Sequence, residues 1–246
     1  MNTKTQRVVV TGGATNIGRA ITEAFLAAGA RVAVGQPDPQ VAAPLIARYG
    51  ERVVVLPVDV GDAGQCRRFL DEAAAALGGI DALVNNAAIT GPSSMSRLPE
   101  VTPEIFDRMM RVNVGGAVFC SQAAVPHLSA SGGGVIVHIS SINALRPQHG
   151  AMLYAATKAG VSSLAQSMGK ELAPAGIRVV AVAPGDIRTA DSNAMAAPTA
   201  SHDVVGQTPL GPGEPNDIGE VVVYLCSRRA KFVTATTWVV DGGLMG

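Results

Sequence analysis

Seven short apolar runs punctuate the chain: "VVV" at 8 to 10, "VAV" at 32 to 34, "VVVL" at 53 to 56, "ALV" at 82 to 84, "VIVHI" at 135 to 139, "VVAVA" at 179 to 183 and "WVV" at 238 to 240. Their apolar residues are consecutive rather than alternating, as expected of strands covered on both faces in a parallel sheet. Between the runs, apolar residues return at helical spacing. Ile17, Ile21, Ala24, Phe25 and Ala28 form one stripe, Phe69, Leu70, Ala73 and Leu77 a second, and Ile218, Val221, Val222 and Leu225 a third. Strand and helix in alternation predict an α/β fold: a doubly wound, seven-stranded, mostly parallel sheet with helices on both faces and right-handed crossovers. No break divides the pattern, so residues 1 to 246 read as a single domain. The "GGG" at 132 to 134 reads as a turn, and the irregular stretch from Arg188 to Pro215 as a substrate loop.

Composition narrows the function. A chain of 246 residues buries a substantial core, and 48% of it is apolar. Yet no apolar run approaches the roughly 18 residues of a membrane span. Nineteen basic residues balance nineteen acidic ones without long charge blocks, which leaves no footprint for nucleic acid or an anionic membrane surface. The opening "MNTKTQRVVVTGG" lacks the long apolar region of a secretory signal, so a cytoplasmic protein is expected. Cys66, Cys120 and Cys226 are an odd, scattered set that reads as small core residues, and His127, His138, His149 and His202 lack ligand spacing. No metal site is expected.

Two local patterns carry chemistry. In "VVVTGGATNIGRAI" a strand runs through Gly12, Gly13 and Gly18 into a helix. Glycines at such a turn let the backbone approach a pyrophosphate, and the free N–H groups at the helix start favour its charge, as in Rossmann-type sheets. A glycine-rich turn without a ligand is the plain alternative. In "YAATK", Tyr154 and Lys158 stand four residues apart and share one helix face. A fixed, poorly screened cation lowers the pKa of a neighbouring phenol, which makes the pair a candidate acid/base device. The small residues Ala155, Ala156 and Thr157 are expected to leave room for ligands. The plain alternative is an ordinary helix whose buried stripe is Leu153, Ala156, Gly160, Val161, Leu164 and Met168, with Tyr154 and Lys158 snorkelling on its flank.

Further motifs recur in order along nearly the whole chain. Ser141 closes the fifth strand thirteen residues before Tyr154, Asn85, Asn86 and Ala87 end the fourth, Asn113 lies in "MRVNVGG", and "APGDIRT" follows the sixth. With "TGGATNIG", these motifs resemble the short-chain dehydrogenase/reductase family. The chain departs from that family's pattern at Asn16, Ala88 and Ala235, where glycine is common, and at Pro212, where arginine is common. Asparagine tolerates unusual backbone angles, so the turn at Asn16 is expected to survive, its side chain either turned from the cofactor or touching it.

The resemblance implies a nicotinamide-dependent oxidoreductase acting on a secondary alcohol or ketone. In it Tyr154 is the general acid or base, Lys158 lowers its pKa and holds the nicotinamide ribose, Ser141 bonds the substrate oxygen, and Asn113 holds a water leading from Lys158 to solvent. Cofactor contacts are implied at Gly12, Thr15, Asn16, Ile17, Gly18, Asn86, Ala87, Pro184 and Gly185. Ile187 and Thr189 are implied to hold the carboxamide, and Asp59 with Val60 to border the adenine, although Asp59 could equally cap the next helix. At the end of the second strand, "VAVGQPDPQ" offers Gln36 where an acid is expected, and then Asp38, a candidate ribose acid or a plain turn-former. No Lys or Arg stands there, so NAD is expected over NADP.

The family also implies a homotetramer through the helices of Asn113 and Tyr154 and the C-terminal segment. A dinucleotide-binding sensor, a methyltransferase on a similar fold and an epimerase or lyase of the family are the competing readings. For the substrate, Asn143, Arg146, Gln148 and His149 form a polar set. Arg146 or His149 is a candidate contact for a hydroxyl-rich or anionic group, with Thr90, Leu145, Met152, Ile187 and Met195 as an apolar wall.

Overall fold

Runs of valine, isoleucine and alanine become strands wherever both faces are covered, and here all seven do. The computed structural model describes residues 5–190 and 208–246. Its strands are β1 (Arg7–Thr11), β2 (Arg31–Gln36), β3 (Val53–Pro57), β4 (Ala82–Asn85), β5 (Gly134–Ile139), β6 (Ile177–Pro184) and β7 (Thr236–Val240). They form one sheet in the order β3-β2-β1-β4-β5-β6-β7, and every pairing is parallel. Parallel neighbours need crossovers, which the helices α1 (Asn16–Ala27), α2 (Ala43–Tyr49), α3 (Ala63–Leu77), α4 (Pro103–Met110), α5 (Gly116–Ala130), α6 (Met152–Glu171) and α7 (Pro215–Cys226) supply.

Successive strand residues face opposite layers. Val8 and Val10 pack with Ile21, Phe25, Ile218 and Val222 beneath α1 and α7, whereas Val9, Leu83 and Ile136 pack with Phe69, Leu70, Cys120 and Ala165 beneath α3, α5 and α6. Cys66, Cys120 and Cys226 are buried among these layers. The α3 stripe expected from periodicity is buried throughout, but on α1 the core includes Leu26 and leaves Ala28 exposed. On α6 the buried face runs through Leu153, Ala155, Thr157, Lys158, Val161, Ser162, Ala165 and Gly169, while Ala156 is exposed. The helix is rotated relative to the expected stripe because Lys158 and Ser162, not only apolar residues, point inward.

Order reverses between β1 and β4, so the crossovers diverge there and leave a cleft at the carboxyl edge of the sheet. Beside it, Gly213 N–H donates to Asp186 O (2.8 Å), Arg188 N–H donates to Gly213 O (2.9 Å), and Arg188 pairs with Glu214. These contacts join the two stems of the expected substrate loop; Met195 and His202, with the rest of residues 191–207, lie outside the described residues. No described helix is long and apolar enough to cross a membrane.

Candidate active site

The cleft measures about 1590 Å³, larger than the roughly 300–1,000 Å³ of ordinary small-ligand sites, with room for an extended ligand beside a second molecule. It is lined by Gly12, Thr15, Asn16, Ile17, Gly18, Gln36, Asp59, Val60, Asn86, Ala87, Ser141, Tyr154, Lys158, Pro184, Gly185, Ile187 and Thr189. Of the catalytic and cofactor-contact residues expected from sequence, Asp38 and Asn113 do not line it. Asp38 Oδ1 accepts from Gln40 N–H (3.0 Å), which makes it the cap of a short helical turn, the plain role weighed for it above. Asp59 lines the cleft but does not cap α3; that cap is Asp62, through Gln65 N–H (2.8 Å), while Asp59 accepts from Gly61 N–H (2.9 Å).

The glycine turn is shaped by close packing. A Cβ on Gly18 would lie 2.1 Å from Gly12 O and 2.4 Å from Asn86 Nδ2, so the position has no room for a side chain. Asn86 Nδ2 staples the turn by donating to Thr11 O (3.0 Å) and Gly12 O (3.1 Å), and Thr11 Oγ1 accepts from the N–H groups of Asn86 and Ala87. Asn16 replaces a glycine and keeps its geometry, with φ of 47°, and its Oδ1 accepts from Ala190 N–H (3.3 Å). No side chain caps α1 and no acid lies in its first turn, so its amide end faces the cleft without competing charge.

A dinucleotide suits this end: the amide end of α1 matches a pyrophosphate, and Gln36 Oε1 is a buried acceptor with no donor among the described residues. The segments Gly12–Gly18 and Gly35–Pro37 hold no Lys or Arg.

At the other end, ionisable groups are buried together. The hydroxyls of Ser141 and Thr90 face Tyr154 closely enough to lower its pKa, and Lys158 Nζ lies 5.6 Å from the centre of its ring. Ser141 Oγ also accepts from Asn143 N–H (3.1 Å), which orients it. Lys158 Nζ donates to Ile139 O (2.8 Å), and Ser140 Oγ donates to Lys158 O (2.9 Å), fixing α6 against the end of β5. Burial raises the Tyr154 pKa, and the Ser141 and Thr90 hydroxyls pull it back; Lys158 is not among the groups that lower it, contrary to the simple helix-face expectation. Burial also lowers Lys158 to about 8. Removal from water therefore outweighs the mutual effect of the pair.

Asn113 sits in a π-helical turn, Arg111–Gly115, between α4 and α5, a distortion that often marks functional sites. Its Oδ1 accepts from Ile89 N–H (2.7 Å), and its Nδ2 donates to Thr157 Oγ1 (3.1 Å), whose hydroxyl donates to Tyr154 O (2.7 Å). Asn113 thus braces the backbone of the Tyr154 turn, and it lines a small cavity behind the cleft with Lys158 and Asn85. Ala155, Ala156 and Thr157 do not line the cleft.

Sequence reasoning missed three members. Thr90, expected as apolar wall, is a polar partner of Tyr154. His138 is wholly buried, with Nδ1 3.2 Å from Asn85 Nδ2, and burial together with the charge of Lys158 pushes it down to about 4. Asp186 lines the cleft with one carboxylate oxygen shut from solvent and unpartnered among the described residues. Only the inward position of "VIVHI" hinted at His138. Leu145 and Met152 are exposed and outside the cleft lining, whereas Ile187 is part of it.

These features define a doubly wound α/β protein with a dinucleotide-shaped cleft and a Ser, Tyr, Lys constellation at its closed end. A family model described as enoyl-(acyl carrier protein) reductase matches residues 12–245. Sorbitol dehydrogenase of Cereibacter sphaeroides is 34% identical, covering 96% of this chain and 95% of the relative. L-rhamnose 1-dehydrogenase (NAD(P)(+)) of Azotobacter vinelandii is 36% identical, with the same coverage of 96% and 95%. The solved 3-ketoacyl-(acyl-carrier-protein) reductase of Brucella melitensis, complexed with NADH, superposes with a TM-score of 0.89 at 30% identity, covering 97% of this chain and 98% of that one. The chain belongs to the short-chain dehydrogenase/reductase family.

Proposed function

We propose that the protein is an NAD-dependent oxidoreductase interconverting a secondary alcohol and a ketone, with Tyr154 as general acid and base. The observation that carries this reading is the convergence of Tyr154, Ser141, Thr90 and Lys158 on one cleft whose other end presents the amide terminus of α1. The dehydrogenase and reductase names of the relatives, and NADH in a solved relative, support it.

When bound, the nicotinamide takes a hydride from the carbinol carbon or returns it. The chain handles the proton. In reduction, the buried phenol keeps its proton at neutral pH and delivers it to the oxygen of the reduced carbonyl; in oxidation it accepts the alcohol proton. Ser141 donates to the substrate oxygen and stabilises charge as it forms. Lys158 would hold the nicotinamide ribose beside the phenol, and Asn113 holds the helix turn in register. Gly12, Thr15, Asn16, Ile17 and Gly18 would hold the pyrophosphate, Gln36 the adenosine ribose, Asp59 and Val60 the adenine, and Pro184, Gly185, Ile187 and Thr189 the carboxamide.

The test is a spectrophotometric screen of NADH and NADPH oxidation against ketones. Tyr154→Phe is expected to lose roughly 10²–10⁴-fold in kcat with cofactor affinity unchanged. Turnover equal to wild type in that variant rejects the assignment.

A further inference from the structure

We infer that the substrate carries an anionic, carboxylate-class group remote from its carbonyl, and that Arg146 is the residue that selects for it; this rests on the reading above. With the carbonyl oxygen between Ser141 and Tyr154, the remainder of a substrate leaves the cleft past two lips, Gly91–Arg97 and Ile142–Ala151. Both line the cleft, and Ser96 N–H donates to Gly150 O (2.8 Å), tying one lip to the other. Arg146 is bracketed in sequence by the two groups that hold the oxygen, so it belongs to the substrate end.

The lip bearing Arg146 is ordered by its own bonds. Arg146 N–H donates to Ile142 O (2.8 Å), Gln148 N–H donates to Asn143 Oδ1 (2.9 Å), and Ala151 N–H donates to Gln148 O (3.1 Å). The guanidinium, in contrast, has no ion pair or hydrogen bond among the described residues. Elsewhere arginines of this chain are used: Arg7 pairs with Asp81, Arg19 and Arg48 with Glu23, Arg188 with Glu214, and Arg178 bonds Val233 O and Leu225 O.

Neither lip contains Asp or Glu; the acids Glu100, Glu104 and Asp107 line the cleft beyond Arg97, where Arg108 and Arg111 stand beside them. Arg97, on the facing lip, is a second unpaired cation, but Glu100 Oε2 accepts from its backbone N–H (2.8 Å) and offsets its charge. Asp186, on the third side, pairs with neither. A cation left without an acid at the exit of a cleft attracts an anion and discourages an ammonium. Its fork-shaped donors match a carboxylate in two parallel bonds.

The experiment compares kcat/KM, with NADH, for 4-oxopentanoate, 5-oxohexanoate and 6-oxoheptanoate against their methyl esters, which remove the charge, keep the ketone and its chain, and add one methyl group. Wild type is expected to favour at least one acid over its ester by about tenfold, with the preference shrinking as salt is raised. Arg146→Ala is expected to bring that ratio to about one without slowing the ester, Arg146→Lys to restore part of it, and Arg97→Ala to reduce it less.

Equal use of acids and esters by wild type, with turnover still dependent on Tyr154, overturns the inference and leaves the oxidoreductase reading standing. An equal loss on acid and ester in Arg146→Ala overturns it too, assigning the residue to loop structure. Absence of Tyr154-dependent turnover on every ketone rejects the oxidoreductase reading, and the inference with it.

Discussion

At one end of the cleft the walls are backbone: Gly12, Gly18 and the amide terminus of α1, held by Asn86 with no ionisable side chain in the turn. At the other end they are ionisable side chains, half-buried Tyr154 and buried Lys158, with His138 behind them. The contrast matches what each end would do in the proposed reaction. Binding a pyrophosphate needs fixed dipoles, which carry no pKa and cost no proton. Moving a proton needs groups that change charge, and burial is what brings their pKa values away from solution values. The end that holds Lys158 therefore carries a cost at neutral pH that the backbone-built end does not.

The largest expected effect separates the halves by pH. With Lys158 lowered from 10.5 to about 8, the unfolded state binds more protons between those two values, so stability rises as pH increases through that window. Below pH 8 the folded state carries the full cost of a buried ammonium. Relative to Lys158→Met, wild type is expected to gain roughly 2–3 kcal/mol in unfolding free energy from pH 7 to pH 10, read from urea melts. Parallel pH profiles of the two proteins would mean that Lys158 is solvated, and the proposed contrast would lose its basis.

Much of this contrast was legible in the chain. The strands showed because consecutive Val and Ala residues have one use in a sheet, and the glycine turn and the Ser141, Tyr154 and Lys158 spacing are local enough to read directly. What was not legible depends on contacts between distant segments. Thr90 reaches Tyr154 across 64 residues of sequence, and His138 meets Asn85 and Lys158 from two other elements. The rotation of α6 was hidden for the same reason: a lysine reads as a surface residue until Ile139 O is placed beside it. Asp38 and Asp59 were ambiguous because capping a turn and contacting a cofactor call for the same carboxylate.

A middle-sized effect tests the side chain proposed to meet the adenosine ribose at the backbone-built end. Gln36 is neutral, its carbonyl oxygen is buried without a donor among the described residues, and the flanking segments offer no cation to a 2′-phosphate. NADH is expected to bind more tightly than NADPH in fluorescence titrations. Gln36→Arg should narrow that gap by about tenfold, close to 1.4 kcal/mol. Equal affinity of wild type for the two cofactors would show that charge at this position does not decide the choice.

The smallest effect lies at the far end of the catalytic helix. Where the glycine turn uses a true glycine at Gly12, with φ of 63°, the chain places alanine in the same region at Ala235, with φ of 55°. Ala235 N–H donates to Val179 O (2.8 Å), so β6 holds the residue there, and a Cβ on Gly169 of α6 would come within 2.6 Å of its nitrogen. An L-residue in this conformation costs about 1–2 kcal/mol, and replacing it by glycine returns part of that to the unfolded chain as entropy. Ala235→Gly is therefore expected to stabilise by roughly 0.5 kcal/mol, with kcat and NADH affinity unchanged because α6 keeps its seat. If the substitution destabilised the protein instead, the alanine methyl group would be packing against α6 strongly enough to outweigh the strain. The reacting half would then be held from the back of its helix as well as from its buried charges.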